Sequence, residues 1–221
     1  MQYNDIIKRL RSLSNPRNIE DKARFGIISK NVLGITKPVM RKIAKDLGKN
    51  HNMALRLWDS EIYEARVIAA LIDEPALVTE EQMNNWVKDF DNWGICDNTC
   101  SNLFDKTPFA YKKAKEWSSR QEEFVKRAGF ALVAVLAVHD KKTSDKHFIK
   151  FFPMIKRASV DDRNFVKKAV NWALRQIGKR NKRLNKEAIK VAKEIQKIDS
   201  RSARWIASDA LRELERQKKF L

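Results

Sequence analysis

Five stretches of this sequence read as versions of one another, and that self-similarity constrains the fold more than any single motif. They are Glu64-Ala65-Arg66-Val67, Ile95-Cys96-Asp97-Asn98, Val125-Lys126-Arg127-Ala128, Val166-Lys167-Lys168-Ala169 and Ser202-Ala203-Arg204-Trp205, each an apolar helical segment with polar residues in corresponding places. The aligned positions 66, 97, 127, 168 and 204 are separated by 31, 30, 41 and 36 residues. Elsewhere, apolar residues recur at helical spacing, as in Ile6, Leu10 and Leu13 or Val39, Ile43 and Leu47. Helical periodicity that itself repeats at this length marks stacked helix pairs, each covering the apolar face of its neighbour.

With 6 Gly and 5 Pro in 221 residues, the chain has little of the turn material an all-β protein needs, and Ala, Leu, Ile, Lys, Arg and Glu favour helix. Short polar breaks fall at 14–16, 34–38, 73–75, 107–108, 140–143 and 178–181. Thr79 followed by Gln82 has the form of a capping box, and Pro38 suits the first turn of a helix. The repeat length matches that of HEAT and armadillo units. The expected fold is therefore all-α: a HEAT-like helical-repeat solenoid with a concave basic groove, forming one domain over residues 1–221.

The 46 Lys and Arg against 28 Asp and Glu give a net charge of +18, a field that attracts a polyanion such as nucleic acid. No apolar run reaches the ~18 to 20 residues needed to span a bilayer, and the first residues, Met1-Gln2-Tyr3-Asn4-Asp5, lack a signal-peptide pattern. A cytoplasmic protein, associated with the nucleoid through DNA, is expected, with monomer as the default. Cys96 and Cys100 lie four apart on one helix, where a disulfide would strain the geometry. They have no histidine beside them to make a nucleophile, and small buried apolar residues is the better account. The scattered His51, His139 and His147 give no metal-ligand spacing, so no metal is expected.

If the second helix of each pair lines one surface, the aligned positions place Arg66, Arg127, Lys168 and Arg204 along a common track for phosphates. Each alone is as readily a cation at a helix end or one paired to a local acid such as Glu64. Lys168, Trp172, Arg175 and Lys179 share one helical face, and Lys179-Arg180-Asn181-Lys182-Arg183 places Arg180 and Lys182 in a basic loop suited to phosphate contact. Trp58, Trp86 and Trp117 read as core or repeat packing.

The third repeat carries Asp97 where the others carry a cation, one helical turn after Trp93. A carboxylate facing DNA weakens binding. Beside an aromatic face, however, it suits a cation, and an N3- or N7-alkylated purine is cationic and leaves through an oxocarbenium-like state that a carboxylate stabilises. The alternative is a structural Asp97, capping its helix or pairing with Arg127, with Trp93 in the core.

Over most of its length the chain resembles the AlkD-like DNA alkylation repair glycosylases, a HEAT-like repeat family. The resemblance is carried by Leu33-Gly34-Ile35-Thr36-Lys37-Pro38 with Arg41, Leu57-Trp58, Glu64-Ala65-Arg66, Trp93 with Asp97, Lys126-Arg127, Phe165-Val166-Lys167-Lys168-Ala169, Trp172-Ala173-Leu174-Arg175 and Ser208-Asp209-Ala210-Leu211-Arg212. It implies a monofunctional glycosylase acting on alkylated bases in duplex DNA, without metal or organic cofactor. Trp93, Asp97, Arg127 and Trp172 would be the catalytic set. Asp97 would stabilise the sugar cation and position water. The two tryptophans would contact backbone and deoxyribose around the lesion, and Arg127 would hold the phosphate or the carboxylate. Gly94, after Trp93, departs from the polar or acidic residue of relatives. The rival readings are a non-catalytic DNA-binding solenoid and a helical adaptor for an acidic protein.

Overall fold

The computed structural model describes residues 2–217. The chain divides into two compact units, Met1–Thr107 and Pro108–Leu221, each built from helices. In the first unit these are α1 (Tyr3–Ser12), α2 (Pro16–Arg24), α3 (Lys37–Leu47), α4 (His51–Trp58), α5 (Tyr63–Ile72), α6 (Glu80–Trp86) and α7 (Trp93–Asn102). The second holds α8 (Ala110–Ser118), α9 (Glu123–His139), α10 (Asp145–Ile149), α11 (Phe152–Ala158), α12 (Asn164–Gly178), α13 (Lys182–Gln196) and α14 (Arg201–Gln217). No strand occurs among the described residues.

Several helices start on a side-chain cap, and two of the caps, Asn15 and Asn181, fall within the polar breaks at 14–16 and 178–181. Asn15, Asn50, Thr79, Asn92 and Asn181 precede α2, α4, α6, α7 and α13, and each accepts a hydrogen bond from the backbone N–H three residues on. Each such cap contributes about 1 kcal/mol. Pro16 and Pro38 occupy first-turn positions of α2 and α3, where a missing N–H costs nothing. The capping box at α6 is half formed. Thr79 caps Gln82 N–H, but the Gln82 amide donates instead to Asp73 at 2.7 Å. Asp73 is fully buried and also bonded by His51 and the Glu74 N–H. A buried carboxylate needs those donors more than an exposed helix end does.

In the first unit α5 is the central element, buried along most of its length and packed against α3, α4 and α7. Trp58 and Trp86 are core residues as expected, stacked with centroids 3.8 Å apart. In the second unit α9 takes that place, between α8 and α12. Gly129 lets α8 and α9 touch: a Cβ there would stand 2.3 Å from the Ser118 backbone nitrogen. Trp117 is likewise core.

The five aligned positions 66, 97, 127, 168 and 204 fall in α5, α7, α9, α12 and α14, the later helix of successive pairs. The longer step of 41 residues spans the 17-residue α9 and the extra helix α10. No helix among the described residues is long and apolar enough to cross a membrane.

Candidate functional site

Helix α7 sorts its residues by face. Ile95, Cys96, Thr99 and Cys100 are buried, and Asn98 turns inward to donate its amide to the Val67 carbonyl of α5 at 3.3 Å. Trp93, Asp97 and Ser101, four residues apart, share the opposite face and are half-buried. Cys96 and Cys100 are free thiols in the core, and burial pushes the Cys100 thiol well above its ordinary value. The helix cap is Asn92, so Asp97 does not serve as one.

Trp93 is not a core residue. Its indole N–H donates to the Phe25 carbonyl at 2.8 Å, which pins the edge of the ring and leaves part of it open to solvent. The next residue, Gly94, is where a Cβ would stand 2.7 Å from the Tyr63 hydroxyl and 3.1 Å from both Asn92 Oδ1 and Ile27 Cδ1. The departure at Gly94 thus has a steric reason: three neighbours already occupy the space a side chain would need. Tyr63 is itself buried. Burial, then the charges of Glu64, Asp91 and Asp97, push its hydroxyl far above its ordinary value. At neutral pH it is a neutral phenol within the field of Asp97.

Glu64 does not neutralise Arg66. Its carboxylate, fully buried, accepts from the backbone N–H groups of Leu33, Gly34 and Ile35 and lies 3.5 Å from Lys22 Nζ. Arg66 instead lies over the Trp58 ring, donates to the Trp58 and Asp89 carbonyls and pairs with the Asp89 carboxylate at 3.4 Å. Every arm of its guanidinium is engaged within the first unit.

The second unit separates its cations in the same way. Arg127 is buried and donates to the Phe165 carbonyl of α12 at 2.7 Å. On α12, Trp172 is half-buried, and with the Gln176 amide turned to present its oxygen, that oxygen accepts from both the Trp172 indole and Lys179 Nζ at 3.2 Å. Arg175 bonds Glu213 of α14 and lies 3.8 Å from Asp209, and Lys179 reaches Glu213 at 2.7 Å. Arg180 stacks on Phe148 and donates to the carbonyls of Ala137 and Thr143. Arg204 pairs with a fully exposed Asp199, a contact that solvent screens to little. Lys168 and Lys182 are exposed on α12 and α13.

The structure therefore brings Trp93 and Asp97 together on one face in the first unit, and Lys168, Trp172 and Arg175 along α12, with Lys179 as its C-cap, in the second. Of the cations expected at phosphates, Lys168, Lys182 and Arg204 stand in solvent, while Arg66, Arg175, Lys179 and Arg180 are held by protein groups. Four participants went unseen in the sequence: the Phe25 carbonyl, Tyr63, and the acids Asp209 and Glu213. The last two lie at the i, i+4 spacing of one helical face, a signal that the sequence carries from Asp209 to Glu213. Among the described residues no three His, Cys, Asp or Glu side chains are grouped so as to hold a metal ion.

Comparison with curated proteins gives no match. Among solved structures, the chain superposes with a TM-score of 0.82 at 20% identity, over 99% of this chain and 96% of the other, on a protein described as one of a new family related to the HEAT-like repeat DNA glycosylases with affinity for branched DNA structures. That likeness establishes the all-α, HEAT-like repeat fold. The DNA alkylation repair enzyme family matches the sequence over residues 6–214, nearly its whole length and including the aligned positions 66, 97, 127, 168 and 204. The chain belongs to the DNA alkylation repair enzyme family.

Proposed function

We propose that this protein is a monofunctional DNA glycosylase that releases cationic N3- or N7-alkylated purines from duplex DNA, working as a monomer, as one repeat domain and without metal or organic cofactor. The observation that carries the reading is the α7 face on which a pinned, part-open Trp93 stands one turn from Asp97. An aromatic plane and a carboxylate in a partly desolvated setting favour a cation and the charge that develops as its glycosidic bond breaks.

The bond between C1′ and the purine nitrogen breaks with its electron pair moving to the base, which leaves neutral. Water then adds at C1′ and gives up a proton, leaving an abasic deoxyribose. Asp97 stabilises the positive sugar and orients that water. Trp93 and Trp172 offer their ring faces to backbone and sugar, and Arg127 holds the phosphate or the carboxylate. Lys168, Lys182 and Arg204 are the phosphate contacts most available as they stand; Arg66, Arg175, Lys179 and Arg180 reach DNA only by giving up the partners they now hold.

Duplex DNA containing 7-methylguanine tests this directly. The wild type is expected to release the base and Asp97→Asn to lose about 10²-fold or more in rate, with DNA binding retained or improved because a charge repelled by phosphate has gone. No release above the spontaneous rate by the wild type would remove the enzymatic reading. Binding to DNA without catalysis would then stand, a reading favoured by the likeness to a protein with affinity for branched DNA structures.

A further inference from the structure

Two of the most exposed large apolar side chains of the described protein, Phe25 at 75% and Ile28 at 69%, sit on one short turn whose Phe25 carbonyl accepts the Trp93 indole N–H. Each would ordinarily be drawn inward, and a pair displayed together marks a contact surface. The turn is held firmly. Gly26 takes a left-handed φ of +78°, and three hydrogen bonds close the end of α2: Phe25 N–H to Asp21, Gly26 N–H to Ala23 and Ile27 N–H to Lys22, all to backbone carbonyls. Ile27, between the two exposed residues, is half-buried, and its Cδ1 lies 3.1 Å from where a Cβ on Gly94 of α7 would stand. The Phe25 carbonyl accepts the Trp93 indole N–H. Phe25 and Ile28 are thus displayed outward from a fixed base whose other side positions Trp93.

We propose that Phe25 and Ile28 form an apolar wedge that enters the base stack of duplex DNA next to the nucleotide engaged by Trp93. The choice of DNA as occupant rests on charge and on family. The chain carries +18, the exposed Arg24 and Lys30 flank the turn, and the protein belongs to a DNA repair family. Apolar side chains flanked by cations are the means by which proteins part base steps from the minor groove, and a step weakened by a damaged base parts at the least cost. A rigid display suits that task, because a wedge already fixed in place loses little freedom on binding. The inference rests on the DNA contact proposed above for Trp93, and not on base release.

The experiment uses the full chain and a duplex with 2-aminopurine, whose fluorescence rises on unstacking, placed beside a 7-methylguanine. Wild type is expected to raise the fluorescence on binding. Phe25→Ala/Ile28→Ala is expected to abolish the rise and to weaken binding of this duplex about tenfold. The salt dependence should stay the same, because no phosphate contact is removed. Phe25→Trp should restore the signal. Both side chains are exposed, so the double variant should melt as the wild type does.

A wild type that binds without unstacking overturns the proposal, as does a double variant that unstacks normally or a wild type that fails to bind duplex at low salt. A free protein that sediments as a dimer, which the double variant dissociates, also overturns it, since a second copy would then be the occupant. Base release is measured on the same samples. Unstacking that depends on Phe25 and Ile28 without base release leaves the wedge standing and removes the glycosylase. Base release equal in wild type and double variant, with no change in fluorescence, does the reverse.

Discussion

Gly94→Ala is the smallest change that tests how the first turn of α7 is built. The new methyl would lie 2.7 Å from the Tyr63 hydroxyl and 3.1 Å from Asn92 Oδ1 and Ile27 Cδ1, where ordinary contact begins near 3.4 Å. The worst of these falls short by about 0.7 Å, and the offending atom ends a buried side chain that cannot simply swing into solvent. Overpacking of this kind costs about 1–3 kcal/mol, against a gain of up to ~1 kcal/mol for replacing a helical glycine by alanine. The net expectation is a loss of about 1–2 kcal/mol. In urea, with a slope of about 2 kcal/mol/M, that moves the midpoint down by roughly 0.5–1 M. Near-UV circular dichroism, to which the stacked Trp58–Trp86 pair contributes in the first unit, provides the readout. Tyr63→Phe removes the closest atom, so Gly94→Ala should cost less in that background than alone, a coupling that a double-mutant cycle isolates. A Gly94→Ala protein as stable as the wild type, or one with the same loss in both backgrounds, would refute the steric account of why glycine follows Trp93.

Two further outcomes separate cations that build the protein from those that stand free. Arg66→Ala should destabilise the first unit by about 2 kcal/mol, since it strips partners from Trp58 and Asp89, while leaving the salt dependence of DNA binding unchanged; Lys168→Ala should leave stability within about 0.5 kcal/mol and lower the slope of log K against log salt by about 0.9. In the second unit, burial alone would raise the Asp161 carboxyl, but hydrogen bonds from Arg163 and Lys126 bring it down to about 2. Its folded value lies below its unfolded one, so the stabilisation is full above about pH 4 and is lost as pH falls toward 2. Asp161→Asn should therefore cost about 1 kcal/mol at neutral pH after solvent screening is allowed for and flatten acid unfolding over that window.

The helices and their pairing were legible because they are written in local chemistry. Apolar spacing and short polar breaks act within a few residues, and the offset of 30 to 41 residues at which the pattern repeats points to the same hairpins. Asp97 was legible as an exception for the same reason: a repeat supplies its own standard of comparison. What the residues around it do was less so. Arg66 looked like a phosphate ligand because its neighbour Glu64 looked like its only rival, whereas Glu64 serves the backbone of Leu33 to Ile35 and Arg66 is held by Asp89, 23 residues further on. Tyr63 and the Phe25 carbonyl lie 34 and 68 residues from Asp97 and Trp93 in sequence. No periodicity links such pairs; only the fold brings them close.

The distribution of cations bears on what the net charge does. At physiological salt the Debye length is about 8 Å, so in the proposed function the +18 acts chiefly on approach, drawing a duplex in from any side and fixing no register. Register needs individual groups aimed at individual phosphates. Several of the cations expected in that role are anchored to carbonyls or carboxylates, which holds the helix ends and α12 against α14. An anchored guanidinium still contributes its field, but it donates to phosphate only by giving up a protein partner. Orientation on DNA should then depend on a small number of free groups such as Lys168 and Lys182, together with the uncharged surfaces of Trp93, Trp172 and Phe25. A protein so arranged would lose most of its non-specific affinity as salt rises while keeping much of its preference for damaged over intact duplex, because shape contacts are not screened. A preference for the lesion that disappears in parallel with overall affinity between low and moderate salt would show that recognition is carried by the phosphate contacts after all.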